Sequence, residues 1–171
     1  MGTQQILLIV LSVIIVGAAI AVGIQMFNSQ SYSANKSAIA ADAQSYASQI
    51  VQYYKTPESQ GGLGGDMYVG GHNSTDGTKV TADHVGGFIG WGSGVTDNDN
   101  GAYAIGIDDT KGEFYVYGLG KEVSDDNSPA IKTTITLPAG TITATVADIA
   151  HDTEPTAEDI ESAINPDPVS P

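Results

Sequence analysis

Asp97, Asn98, Asp99 and Asn100 stand side by side ahead of Gly101 in VTDNDNGAY, a dense group of hard oxygen donors. Such donors on a flexible loop suit calcium, so Asp97 and Asp99 are the carboxylates expected to hold an ion if one binds. The distal glutamate of a complete calcium loop is missing, and DNDNG is also ordinary turn composition. Asp125 with Asp126 makes a weaker pair. His72 and His84 could meet across a loop, but with His151 they form no paired ligand spacing such as HExxH. Ser59 has no nucleophile elbow around it. The GGLGG run at 61–65 is followed by no GK[ST] and sits in no GxGxxG context, so it reads as a turn. Cysteine is absent, which removes disulfides, thiolate catalysis and zinc-thiolate sites. The pattern argues against an enzyme and leaves calcium as the one cofactor to consider. Asn35 in NKS and Asn73 in NST are glycosylation sequons, meaningful if the chain is exported through a glycosylating system.

The formal net charge is -14, with 20 acidic residues against 6 basic ones. That balance argues against a phosphate-tracking nucleic-acid surface and against attraction to acidic lipid headgroups. Within residues 1–54 only Lys36 and Asp42 are charged, so the acidity belongs to the remainder.

The elements that would position these groups begin with an apolar run at 6–24, broken by nothing more polar than Ser12. As a helix it would be about 28 Å long, close to the roughly 30 Å hydrocarbon core of a bilayer. A signal peptide is the rival reading, but MGTQQ carries no lysine or arginine and the apolar run is longer than a usual signal core. Flanking charge specifies membrane orientation poorly. Tyr32, Ile39, Tyr46 and Tyr53 then recur every seventh residue, with Ala43 and Ile50 between them, which predicts an apolar stripe on a continuing helix. Ser33, Lys36, Asp42, Gln44, Gln49 and Gln52 are left to face water. Pro57 and GGLGG supply the stop.

An N-terminal helix of this kind, apolar and then amphipathic, ahead of a small β-rich head, resembles the type IV pilin superfamily. The resemblance covers the N-terminal third well and the head in outline. It implies processing and N-methylation at Met1, by a prepilin peptidase. It also implies a filament core packed from Gln5, Ile6, Leu7, Leu8, Val10, Leu11, Ile14, Ile15, Ala18, Ala21 and Val22. The implied partners are further copies of the chain in a helical homopolymer, the pilus assembly machinery, and the inner or cytoplasmic membrane before assembly. Bacterial members generally carry glutamate where this chain has Gln5, which can hydrogen-bond but cannot neutralise a neighbour's amino terminus. Archaeal pilins dispense with that carboxylate.

Strand-like runs follow at 66–69, 87–91, 102–107, 113–119, 131–137 and 141–149, and their turns favour an antiparallel sheet. DDTKG and LPAG read as hairpin connections. TAEDIESAI at 156–164 reads as a short capped helix inside an acidic, proline-containing tail. The expected fold is α+β: an assembly or transmembrane helix over 1–54, a β-rich head over 55–147 and a tail over 148–171. The expected function is a major pilin of an extracellular filament, with a pseudopilin or minor pilin of a secretion or uptake machine as one alternative. A membrane-tethered monomeric binding module is the other. Adhesion, motility and DNA uptake are not separated by these residues.

Overall fold

A computed structural model describes residues 2–69 and 78–150. One helix, α1 (Gly2–Lys55), is about 80 Å long at 1.5 Å per residue. The head follows as β1 (Tyr68–Val69), β2 (Thr78–Lys79), α2 (Ala82–Ile89), β3 (Val95–Asp97), β4 (Gly101–Asp108), β5 (Glu113–Gly120), β6 (Asn127–Thr136) and β7 (Thr141–Ala150). The fold is α+β: the long helix lies against a five-stranded antiparallel sheet of order β3-β4-β5-β6-β7, beside the small β1-β2 pair.

α1 has no proline, and its second half is rich in alanine, so nothing local opposes a continuous helix. Asn35, Ile39, Ala43, Ala47, Ile50, Tyr53 and Tyr54 are buried along one line, three or four residues apart, and this line packs chiefly on β5 and β6. The GGLGG run does more than stop the helix. The amides of Leu63 and Gly65 donate to Tyr53 and Tyr54 carbonyls, at 3.1 and 2.8 Å, supplying partners that the last helical turn lacks. The Tyr54 hydroxyl donates back to Gly65 O at 2.6 Å. Gly62 must be glycine for this: a Cβ would sit 2.2 Å from Thr56 O.

Period-two alternation divides the sheet. Tyr103, Ile105, Phe114, Val116, Ile131 and Ile135 share the face under α1, and with Ile39, Ile50 and Val85 they make the main core. Each large apolar side chain so buried contributes roughly 1.5–3 kcal/mol. Thr133 lies in the same layer, and its hydroxyl has no hydrogen-bond partner among the described residues. Thr133→Val should therefore raise head stability by about 1 kcal/mol in chemical denaturation, because it removes a buried polar group without changing shape.

The run at 87–91 is not a strand. Its first residues belong to α2, which starts at a capping box: Thr81 Oγ1 accepts from His84 N, and Thr81 N donates to His84 Nδ1. Gly90, at φ 89°, ends it. Five residues with β-branched and aromatic content carry too little period to outweigh a cap on one side and a left-handed glycine on the other. DDTKG and LPAG are hairpin connections as expected, closing the Asp108–Glu113 and Thr136–Thr141 pairs. β7 continues through Ala150, so the segment set off at 148 begins inside a strand. The helix expected at 156–164 lies outside the described residues.

Candidate assembly surface

The head is fixed to the lower half of α1 by polar clamps as well as by its core. Asp42 Oδ2 accepts hydrogen bonds from Tyr103 OH at 2.8 Å, Asn100 Nδ2 at 2.8 Å and Asn98 Nδ2 at 2.9 Å. Tyr46 fills the space beside it, edge-on to Trp91 and Tyr103 at centroid distances of 4.8 and 5.1 Å. Two turns up the helix, Asn35 Nδ2 donates to Asn100 O at 2.7 Å. Gly120 makes room for that amide, since a Cβ there would lie 2.0 Å from Asn35 Oδ1. At the upper end Asp148 on β7 accepts from Lys36 Nζ at 2.7 Å and Tyr32 OH at 2.8 Å.

These contacts shift the groups that make them. Burial alone pushes the Asp42 carboxyl up, but hydrogen bonds from Asn100, Asn98 and Tyr103 outweigh it and hold the group below its ordinary value. The Lys36 and Tyr32 hydrogen bonds hold Asp148 down against a smaller desolvation effect. Burial first, and then its bond to Asp42, push the Tyr103 hydroxyl up. The folded-state carboxyl pKa is depressed, so the stabilisation from Asp42 is fully present above the ordinary value of 3.8 and is lost as pH falls through the lower folded-state value. Asp42→Ala should cost about 1–3 kcal/mol near neutral pH, because three donors lose their acceptor. The gap to the parent chain should close as pH drops below 3.8. Denaturation monitored by tyrosine and tryptophan near-ultraviolet circular dichroism reads both; a gap that stays constant with pH would contradict this account.

Above the clamps the helix is not covered by any of the described residues. Every described residue from 2 to 30 is exposed. Ile6, Leu7, Leu8, Ile14 and Ile15 are 62, 68, 62, 62 and 59% exposed. Gln5, Val10, Leu11, Ala18, Ala21 and Val22 stand on the same bare rod. The segment is long and apolar enough to cross a membrane, and none of it is covered by the head. Monomeric soluble proteins rarely leave so large a contiguous apolar surface open to water. Gly17 and Gly23 have open space where a Cβ would go, so nothing among the described residues requires glycine at either.

The other sequence candidates are dispersed. Asn98 and Asn100 turn inward to Asp42, while Asp97 remains exposed and lies 3.6 Å from Lys121 Nζ. Asp99 is exposed as well. No group of three or more His, Asp or Glu side chains is gathered for a metal among the described residues. His84 is engaged in the α2 cap. Asn35, expected as a possible glycosylation acceptor, is buried; its Nδ2 donates to Asn100 O and its Oδ1 accepts from Glu122 N. Met1, His72, Asn73 and His151 lie outside the described residues.

Sequence reasoning placed Asp42 on the wet side, took Asn35 as a glycosylation sequon and left Ala47 out of the apolar stripe. Their shared phase with Ile39, at multiples of four residues, was the available signal for Asn35 and Ala47. Nothing in sequence marked Asp42 as the acceptor for a loop more than fifty residues away. No protein-family model matches the chain, and no curated protein or solved structure matches it either.

Proposed function

We propose that this chain is a structural subunit of an extracellular filament resembling type IV pili, membrane-anchored before assembly and held together by its N-terminal helices. The observation that carries the reading is the division of α1: one continuous helix whose lower half is fixed to the head and whose upper half, residues 2–30, is bare on every side. A helix apolar all round needs lipid or other helices as its solvent. Leaving lipid for a helix bundle transfers no apolar surface out of water, so close packing and fixed geometry must supply the specificity of assembly. Repeating one heterologous contact along a rigid rod generates an open helical polymer. In that polymer the acidic heads cover the outside, which suits solubility and disfavours nucleic-acid binding.

Electron microscopy of the surface fraction tests the reading, with subunit mass and N-terminal methylation measured on the same sample. Fibres built from this chain are the expected result. Fibres that lack it point to a minor pilin or pseudopilin, and a native chain that stays monomeric in the membrane points to a tethered binding module.

A further inference from the structure

Among the described residues nothing pairs with the outer edge of β7. Its register with β6 runs unbroken from Thr141 to Ala150, with no bulge, and it carries neither lysine nor proline. Short strands, bulges, lysines and prolines are the usual means of keeping such an edge from pairing with another chain. The opposite edge, β3, is three residues long, carries Asp97, and has Ser93 Oγ donating to Val95 O at 3.2 Å. On β7 residues 141–146 are all exposed, Ile142 and Val146 at 36 and 39%. The ladder fixes which backbone groups point outward. Leu137 N, one residue past β6, donates to Gly112 O at 3.0 Å. Alternation then turns the backbone groups of Thr136, Thr134 and Lys132 toward β7, where they face Thr141, Thr143 and Thr145. The amides and carbonyls of Ile142, Ala144 and Val146 are left pointing away from the sheet, and no described residue pairs with them.

We propose that β7 pairs with β7 of a second copy, antiparallel about a two-fold axis at Ala144, so that two heads share one continuous sheet. The strand is self-complementary in that register. Ile142 meets Val146 of the second copy on the face that carries α1, and Thr143 meets Thr145 of the second copy on the other face. Both are favourable cross-strand pairings. The outward residues of the two strands form hydrogen-bonded pairs, about six backbone bonds in all. Residues 141–147 carry no charge, so two chains of net charge -14 meet there without setting like charges opposite each other. Next along the seam, Asp148 falls opposite Gly140 of the second copy. A Cβ on Gly140 would lie 3.6 Å from Lys55 Nζ, and Lys55 has no ion pair among the described residues. Each end of the seam therefore brings a carboxylate beside the other copy's ammonium. α1 runs antiparallel to β7, since Gly140 lies by Val51 and Lys55 whereas Asp148 holds Tyr32 and Lys36. The two-fold axis thus sends the two apolar rods in opposite directions. Copies in one membrane or in one polar fibre have parallel rods and do not pair this way. On the filament reading, on which this last step rests, β7 joins fibres that lie antiparallel and bundles them.

The chain has no cysteine, so single cysteines introduced on β7 test the pairing directly in the full-length protein in detergent micelles. On mild oxidation Ala144→Cys should form an interchain disulfide at least about tenfold faster than Ile142→Cys or Val146→Cys. Hydrogen-bonded partners have Cα atoms about 5.5 Å apart, within disulfide reach, whereas residue 142 and its own counterpart lie about 14 Å apart. Mixed together, the Ile142→Cys and Val146→Cys chains should link as fast as Ala144→Cys alone. Ala144→Pro should raise the dimer dissociation constant in sedimentation at least about tenfold and leave the near-ultraviolet circular dichroism of the head unchanged, because the amide it removes points away from β6. If that variant loses the head signal, the cysteine rates decide. Equal rates at the three single positions would mean random collision or parallel pairing and would overturn the proposal. So would a parent chain that sediments as monomer at every concentration, the result expected if another part of the chain covers β7. Micelles coat the apolar rods, so these readouts do not depend on fibres. A surface fraction without fibres would defeat the filament reading and leave the pairing standing.

Discussion

Ile14→Asp subunits should accumulate in the membrane fraction with a folded head and drop out of fibres by at least about tenfold. Ile14 sits in the middle of the bare half of α1, 62% exposed and remote from every head residue. A carboxylate there costs about 2.5–3.5 kcal/mol on membrane insertion, which the remaining apolar run tolerates. Inside a bundle of apolar helices the same charge has neither water nor a partner, and an unpaired buried charge costs several kcal/mol at each subunit contact. Only about 1.4 kcal/mol is needed for a factor of ten. Quantifying the subunit in sheared fibres against the membrane pool measures the effect, with head circular dichroism as the control. Fibre yield equal to the parent's would remove the bare helix from the centre of the assembly.

Phe114→Ala should do the reverse, damaging the head while leaving the upper helix untouched. Phe114 is fully buried in the layer under α1, paired across the strands with Ile107 and Ile135. Truncating a buried phenylalanine costs about 3–5 kcal/mol, through lost burial and the cavity left behind. Domains of this kind are stable by only about 5–15 kcal/mol in total. This head has no disulfide to limit the damage. A fall in melting temperature of more than about 10 °C is expected, read from the near-ultraviolet signal. A loss below about 1 kcal/mol would mean that the sheet and helix are held together elsewhere.

The helix and most strands were legible because their signals are long or repeated. The apolar run and the seven-residue stripe fix α1 over many turns, and the alternation in EFYVYGL and IKTTITL fixes β5 and β6. The 87–91 run was misread because the cap that starts α2 lies upstream, at Thr81 and His84. Asp42 was misread for a different reason. On a helix wheel it falls at the rim of the stripe, and only the fold brings Asn98, Asn100 and Tyr103 to it. The DNDNG loop offered carboxylates to a reader of composition, whereas in the fold its asparagines are the residues turned inward, as donors to a helix carboxylate.

The continuity of α1 has a mechanical consequence. Between Ile24 and Lys55 it contains neither glycine nor proline, and its contacts with the sheet are spread from Tyr32 to Tyr54 along the helix axis. In a filament pulled along its length, a load entering at the head would reach the core through that whole seam in shear. Core contacts, the Asp42 cluster and the Asp148 clamp would bear it together instead of parting one after another. In such a filament the chain would act as a strut with no glycine or proline joint between Ile24 and Lys55, so stretch would have to come from the glycine-bearing segment above.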